Sequence, residues 1–585
     1  MKRLMTGNEA IARGAYEAGC SVAAAYPGTP STEILENIAN YKHIYSEWSI
    51  NEKVALEMAS GASIAGARAL VAMKHVGLNV AADPLFTMAY EGVNGGLVIV
   101  TADDPGLHSS QNEQDNRLYA LHAKVAMIEP SDSGECLDYI KFAFELSERF
   151  DIPVMFRVTT RVCHGKSIAE TGERFEAGIR DYEKNIKKHV MIPAFAKERH
   201  QILEQKLLEL REFSNKCRLN KIEWGDKKIG VITSGISYHH TREVLGENAS
   251  FLKIGLSHPL PDKLITEFAK EVETLYIIEE GEPYIETHVK SLGIDCIGKQ
   301  VIPICGELNP EIIEKAIFSE TNRNSYEIDI SIPQRPPVLC AGCPHRTVFY
   351  ALSMYKDVVV TGDIGCYSLG CAPPLNVTDT LICMGAGISA GIGFEKATEL
   401  ARRGHKVFGC IGDSTFLHSG ITGLVNAVYN KSKMAVLILD NRTTAMTGHQ
   451  ENPGTGRTLA GEETVAVDLE AIVKAVGVKE QNVRVIDPYD LKQTKDAIKA
   501  AYDSNELFVI IAKRPCVLKK DVRGQITARY KVDYEKCKKC KACINTGCPA
   551  IAVKDGSIVI DDVSCNGCSL CKQVCRFGAI VKVGE

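Results

Sequence analysis

The sequence predicts an α/β protein: three doubly wound parallel-sheet blocks in series, followed by a small cysteine-rich domain. Three observations predict it. Short β-type runs alternate with helical patterns along most of the 585 residues. Gly, Pro and Asp punctuate the boundaries between those runs. Eight of the 21 cysteines fall between Cys537 and Cys575, far more densely than elsewhere.

Taken in order, residues 1–180 form the first block, with strands expected at Val22–Tyr26, Ala69–Met73, Leu97–Thr101 and Val154–Val158. Residues 181–225 are charged and helix-prone and read as a connector. A second α/β block, 226–330, has strands expected at Ile229–Thr233, Thr274–Glu279 and Ile302–Cys305. The Pro-rich stretch Ile332–Pro337 reads as a linker. The third block, 338–525, has strands expected at Val358–Thr361, Val407–Ile411, Ala435–Asp440 and Leu507–Ala512. Residues 528–585 are the cysteine-rich end. One echo links the first and third blocks: the small-residue stretch Glu57–Ala67 is similar to Met384–Phe394. Small residues at helical spacing permit close approach of a neighbouring helix or of a cofactor.

With 68 basic and 73 acidic residues and a net charge of -5, neither nucleic acid nor a membrane surface is the expected main partner. No apolar run approaches the ~20 residues of a membrane span. The first residues lack the apolar core of a signal peptide. Clustered cysteines in so long a chain then point to metal ligation in a reducing, cytoplasmic compartment rather than to a disulfide scaffold.

The cysteine-rich end reads Cys537, Cys540, Cys543, then Cys548, then Cys565, Cys568, Cys571 and Cys575. This CxxCxxC…C spacing, used twice, is similar to the bacterial ferredoxin pattern, in which the last Cys of each run ligates the other cluster. The resemblance assigns Cys537, Cys540, Cys543 and Cys575 to one [4Fe–4S] cluster, and Cys565, Cys568, Cys571 and Cys548 to a second. Four residues, not three, precede Cys548, and Arg576 stands where the pattern usually has Pro. Both departures change loop shape rather than ligand count. Two zinc knuckles are the competing reading. A two-cluster end implies that a redox reaction elsewhere in the chain supplies electrons.

The sharpest motif of the third block is Gly412-Asp413-Ser414 at the end of a strand, with Asn441 at the end of the next strong strand. A carboxylate and an amide oxygen at the C-terminal edge of a parallel sheet can share a hard cation. Gly412 admits backbone N–H groups close to a diphosphate at a helix N-terminus. Here the sequence resembles the thiamine diphosphate enzymes, and the run Thr443-Thr-Ala-Met-Thr447-Gly-His449-Gln450 resembles the "NxxYxMTGGQ" segment of the 2-oxoacid:ferredoxin oxidoreductases. The resemblance implies Mg²⁺ held by Asp413, Asn441 and the carbonyl of Thr443. Gly412, Ser414, Thr447, Met384 and Gly385 are expected around thiamine diphosphate.

The same family requires a carboxylate at the aminopyrimidine ring. The segment Trp48-Ser-Ile-Asn-Glu52 resembles the one that supplies it, which assigns Glu52, with Glu57 and Glu47 as fallbacks. The plain alternative is a helix cap. Tyr26–Ser31 resembles the "YPITPSS" loop and places Thr29 against the substrate. His75 follows a strand and is expected to border the site. Arg117 is either a cation for the substrate carboxylate or part of a solvated loop. Cys340 and Cys343 resemble the "CPGCGHR" opening of the thiamine domain. With Cys366 and Cys516 they match the positions of a third cluster, buried free cysteines being the alternative.

The order of blocks is similar, over essentially the whole chain, to the large α subunits of the indolepyruvate-type members of the family. The resemblance implies two thiamine-binding folds with a transketolase C-terminal-like domain between them. It further implies oxidative decarboxylation of arylpyruvates with coenzyme A, giving aryl-acetyl-CoA, CO₂ and reduced ferredoxin. A separate small β subunit, in an α₂β₂ assembly, is expected to supply a domain not found here. Lysines around the cysteine-rich end, Lys536, Lys538, Lys539 and Lys541 among them, suit an acidic ferredoxin or simple solvation. Two other readings compete: a non-oxidative thiamine decarboxylase or carboligase with appended clusters, and an electron-transfer scaffold whose catalytic centre has decayed.

Overall fold

The structure, a computed structural model, describes residues 1–318, 330–333, 335–525 and 528–584. The chain divides into two compact units, Met1–Ile328 and Asp329–Glu585.

In the first unit a seven-stranded sheet runs in the order Leu256–His258, Ala126–Ile128, Val154–Thr159, Leu97–Asp103, Ala69–Lys74, Val22–Ala25, Tyr45–Trp48. All pairs are parallel except the first, where Leu256–His258 lies antiparallel on Ala126–Ile128. Leu97–Asp103 and Val154–Thr159 are buried along their whole length. A strand buried on both faces needs no alternation, which is why these segments read as continuous apolar runs. Leu256–His258 comes from the second sequence block, so the two blocks share a sheet. A smaller sheet, ordered Thr274–Ile278, Ile229–Ser234, Ser250–Ile254, Lys221–Glu223, takes three strands from that block and its antiparallel edge strand, Lys221–Glu223, from the connector. The connector is dominated by the helix Pro193–Ser214, with Pro193 in the first turn, where its missing N–H costs nothing.

Ile302–Cys305, expected as a strand, forms turns and bends instead. Pro303 offers no ladder donor, and although Ile302 is buried, Ile304 is 48% exposed, so the run packs one side chain but pairs with no strand among the described residues. Residues 319–329, at the end of that block, and Gln334 of the expected linker lie outside the described residues.

The second unit is built on a six-stranded, wholly parallel sheet ordered Thr380–Leu381, Val358–Gly362, Lys406–Gly412, Ala435–Asp440, Phe508–Lys513, Val483–Ile486. The central strand Ala435–Asp440 is buried throughout. The chain ends in two antiparallel ribbons, Tyr530–Val532 with Ile580–Lys582 and Ile551–Lys554 with Ser557–Ile560. Among the described residues no helix is long and apolar enough to cross a membrane.

Candidate active site and cysteine sets

In the second unit, strand Lys406–Gly412 delivers Asp413 to the start of a helical segment that continues through a π-turn, Phe416–Gly420. Such turns recur at functional sites because they redirect side chains within a helix. Gly412 is required: a Cβ there would stand 2.5 Å from the Tyr367 ring. The Asp413 carboxylate is buried and accepts a hydrogen bond of 3.2 Å from Asn452 Nδ2. Burial, with repulsion from Asp440 added, pushes its carboxyl up to about 7. Removed from water in this way, the group favours a proton or a cation.

The next strand ends at Asp440, and the loop after it folds back over Asp413. Asn441 Oδ1 accepts from the Thr443 N–H at 3.2 Å, and Thr444 Oγ1 donates to Ser414 Oγ at 2.9 Å. Thr443 Oγ1 donates to the Gln450 carbonyl, and Thr447 Oγ1 to Gln450 Oε1 at 2.5 Å. Asp413, Ser414, Asn441, Thr443 and Thr447 are therefore parts of one hydrogen-bonded loop system. Its oxygen donors, one carboxylate, one amide and backbone carbonyls, are those a small hard cation takes.

Met384 and Gly385 border the same turn: Ser419 Oγ donates to the Met384 carbonyl at 3.0 Å. Gly385 has φ +87, and a Cβ would lie 2.3 Å from Ser419 Oγ. Asp363 accepts from the backbone N–H groups of Ile364, Gly385 and Gly387 at 2.7, 3.0 and 2.9 Å. It thereby fixes the start of helix Ala386–Leu400. Burial raises its carboxyl to about 6 despite those bonds. Sequence reasoning missed Asp363 and Asn452; the only available signals were Asp363 at the end of an expected strand and Asn452 soon after the Thr443–Gln450 run.

In the first unit, Glu52 opens helix Glu52–Ile64, whose first turn is capped by Asn51 Oδ1 accepting from Val54 N–H at 2.9 Å. Asn51 is thus the cap, and Glu52 is 5% exposed. A Cβ on Gly77 would lie 2.7 Å from Glu52, so the turn after His75 closes directly on the carboxylate. Lys74 crosses Gly28, whose added Cβ would meet its side chain at 3.1 Å, and donates to the Ser109 carbonyl at 3.0 Å. Burial lowers the Lys74 pKa, opposed by the charges of Asp104 and Glu52. Ser109 Oγ also meets the Thr29 carbonyl at 3.4 Å, and His75 Nε2 meets the Asn112 carbonyl at 3.1 Å. His75 Nδ1 is buried without a partner. Glu52, Thr29 and His75 thus gather at the C-terminal edge of the parallel sheet, where open α/β sheets bind ligands.

Arg117 does not join them. It is 1% exposed, with Nη1 on Glu279 Oε2 at 2.6 Å and Nη2 on Asp115 Oδ2 at 2.5 Å and on the Glu280 carbonyl at 2.7 Å. The expected solvated loop, or substrate cation, is in fact an internal ion network. The physical reason is proximity to buried carboxylates: beside Asp115 and Glu279, a guanidinium has partners fixed before any substrate arrives.

The cysteine-rich end forms two cavities. One is lined by Cys537, Cys540, Cys543 and Cys575, the other by Cys548, Cys565, Cys568 and Cys571. Each quartet takes its fourth sulfur from the other run. Four free cysteines lining one hollow, unpaired as disulfides, are compatible with a cubane cluster. Cys343, Cys366 and Cys516 are half-buried and their thiols are raised, chiefly by burial and in part by the charge of a neighbouring cysteine of the set Cys340, Cys343, Cys366 and Cys516.

Residues 13–199 match the family model described as "Pyruvate flavodoxin/ferredoxin oxidoreductase, thiamine diP-bdg". Residues 363–512 match "Thiamine pyrophosphate enzyme, C-terminal TPP binding domain". The chain is similar to the indolepyruvate oxidoreductase subunit IorA of Archaeoglobus fulgidus, 41% identical over 614 residues that cover 99% of this chain and 97% of that one. Its counterpart in Methanothermobacter thermautotrophicus is 41% identical over 614 residues, 100% and 98% of the two chains. The 2-oxoglutarate synthase subunit KorA of Archaeoglobus fulgidus is 23% identical over 352 residues, 53% of this chain and 98% of its own.

Proposed function

The chain belongs to the indolepyruvate oxidoreductase subunit IorA family, thiamine diphosphate-dependent 2-oxoacid oxidoreductases, and on that premise we propose oxidative decarboxylation of arylpyruvates with coenzyme A. The products are an aryl-acetyl-CoA, CO₂ and reduced ferredoxin, with indolepyruvate, phenylpyruvate and hydroxyphenylpyruvate as substrates. One observation carries the oxidative reading: two cavities, each ringed by four cysteines in the crossed pairing, on the same chain as the thiamine fold. A non-oxidative decarboxylase has no use for a paired one-electron relay.

When bound, thiamine diphosphate supplies the nucleophilic carbon and takes up the electrons left as CO₂ departs, and the clusters pass them on singly. The residues of this chain have distinct tasks. Asp413, Asn441 and the Thr443 carbonyl would hold Mg²⁺, which would supply positive charge for a diphosphate. Gly412, Ser414, Met384, Gly385 and Thr447 shape the pocket around the cofactor. Glu52 holds a proton at the aminopyrimidine nitrogen. Thr29 and His75 border the substrate. Cys537, Cys540, Cys543 and Cys575 hold one [4Fe–4S] cluster, Cys548, Cys565, Cys568 and Cys571 a second, and Cys340, Cys343, Cys366 and Cys516 a third. A separate small β subunit completes the enzyme in an α₂β₂ assembly.

The test is anaerobic turnover of the chain with its β subunit, indolepyruvate, coenzyme A and a viologen dye. CoA-dependent dye reduction is expected; CO₂ release without dye reduction would point to the non-oxidative reading. Glu52→Gln should lose ~10²–10⁴ in kcat, the range of a single acid–base assist, while still binding thiamine diphosphate. Full activity in that variant removes Glu52 from the chemistry.

A further inference from the structure

Arg346 follows the Cys340–Cys343 loop in the first turn of helix His345–Leu352 and is 2% exposed. Its hydrogen-bond partners are all backbone carbonyls: Nη1 donates to Thr546 at 3.1 Å, and Nη2 to Leu339 and, at 3.1 Å, to Cys340. Nε is buried with no partner. Among the described residues no carboxylate forms an ion pair with it. Thr546 lies two residues before Cys548, and a Cβ on Gly547 would come within 3.1 Å of Arg346 Nη1. The guanidinium thus ties the Cys340–Cys343 loop to the segment leading into Cys548.

Two further hydrogen bonds close the same seam. Asn566 Nδ2 donates to the Ala341 carbonyl at 2.8 Å, and Tyr489 Oη to the Gly342 carbonyl at 2.6 Å. The two cysteine loops are therefore neighbours, joined by Asn566 as well as by Arg346, while Tyr489 holds the Cys340–Cys343 loop from a third segment. A buried cation without an anion costs several kcal/mol, so a site that retains one has negative charge to meet it. A [4Fe–4S] centre with four thiolates is such an anion, and gains a further negative charge on reduction.

We propose that Arg346 is the shared counter-charge of two redox centres, that of Cys340, Cys343, Cys366 and Cys516 and that of Cys548, Cys565, Cys568 and Cys571. It is a positioning residue: it holds the two loops together and raises both reduction potentials, keeping the step between the centres nearly level. In that step one electron, supplied by the oxidative decarboxylation, leaves one centre and enters the other; no atom or proton moves. The proposal rests on the reading of both quartets as cluster ligands.

The test uses the complete enzyme with its β subunit as wild type, Arg346→Gln and Arg346→Lys, with iron and sulfide content and a dye-mediated redox titration followed by electron paramagnetic resonance. Arg346→Gln should lower the potentials of the two flanking centres by at least a tenfold change in the reduced-to-oxidised ratio, about 59 mV for a one-electron couple. The Cys537 centre should stay put, and Arg346→Lys should remain within threefold of wild type. Full iron with unshifted potentials, or an equal shift in all three centres, overturns the proposal. If Arg346→Gln sheds iron from the flanking sets while Arg346→Lys keeps it, the counter-charge role is supported; loss in both variants, or even loss from all sets, overturns it. Separately, about eight rather than about twelve iron atoms per wild-type chain would overturn the reading of the Cys340 quartet as a ligand set.

Discussion

Two regions of this molecule bury clustered carboxylates at the C-terminal ends of parallel strands, and they solve the problem in opposite ways. In the first unit, Asp103, Asp115, Glu129 and Glu279 each contact Arg117 or Arg157 at 2.5 to 2.7 Å. In the second, Asp413 has an amide partner, Asn452, and faces the charge of Asp440, whose own cation, Arg442, is engaged at 3.3 Å. In the first region two guanidiniums are shared so that every one of these four carboxylates touches a cation; in the second Arg442 reaches Asp440, and Asp413 has no ion pair among the described residues. Buried carboxylates each held by a guanidinium of the same chain are architecture, whereas a buried carboxylate with no cation in contact marks a place where an external cation can bind.

The largest expected effect breaks the second region. Asp413→Asn should lower turnover at least ~10²-fold and abolish the Mg²⁺-dependent retention of thiamine diphosphate, because a bound metal contributes several kcal/mol of charge stabilisation. The melting temperature of the metal-free protein should not fall, since one of two repelling carboxyls has been neutralised. A large loss of stability without cofactor would mean that Asp413 is structural and would erase the contrast. The next effect breaks the first region. Arg117→Met removes one partner from a fully buried network and should destabilise the first unit by about 3–5 kcal/mol, read by denaturant or thermal unfolding. If turnover falls while stability holds, Arg117 does serve a ligand after all.

The contrast also explains what could be read in advance. That Gly412, Asp413 and Asn441 come together was legible because strand ends and the loop between them impose local spacing, and that the tail cysteines line two hollows was legible because the two-residue spacing repeats locally. The main strands were legible as continuous apolar runs. Arg117 was not, because its role is set by Glu279, 162 positions away. Asp363 and Asn452 belong to no motif; each matters only through the loop it ties down in three dimensions. The strands Tyr45–Trp48 and Val483–Ile486 went unseen because each is four residues long and lies at a sheet edge, where Glu47 and Arg484 dilute the apolar pattern. Ile302–Cys305 erred the other way: an apolar run without a sheet to join.

The smallest effect sharpens the comparison inside the first region itself. Glu280 sits beside the arginines yet forms no ion pair with them; its carboxylate accepts the Leu308 N–H at 2.9 Å, and burial pushes its carboxyl up to about 7. A carboxyl whose folded pKa lies above its unfolded value binds its proton more tightly when folded. Its contribution is therefore complete below the ordinary carboxylate range and is lost as pH rises through about 7. Unfolding measured from pH 5 to 8 should show declining stability, and Glu280→Gln, which keeps an acceptor for Leu308, should flatten that decline. An unchanged slope in the variant would mean that the field of the arginines holds Glu280 ionised, as an ion pair would.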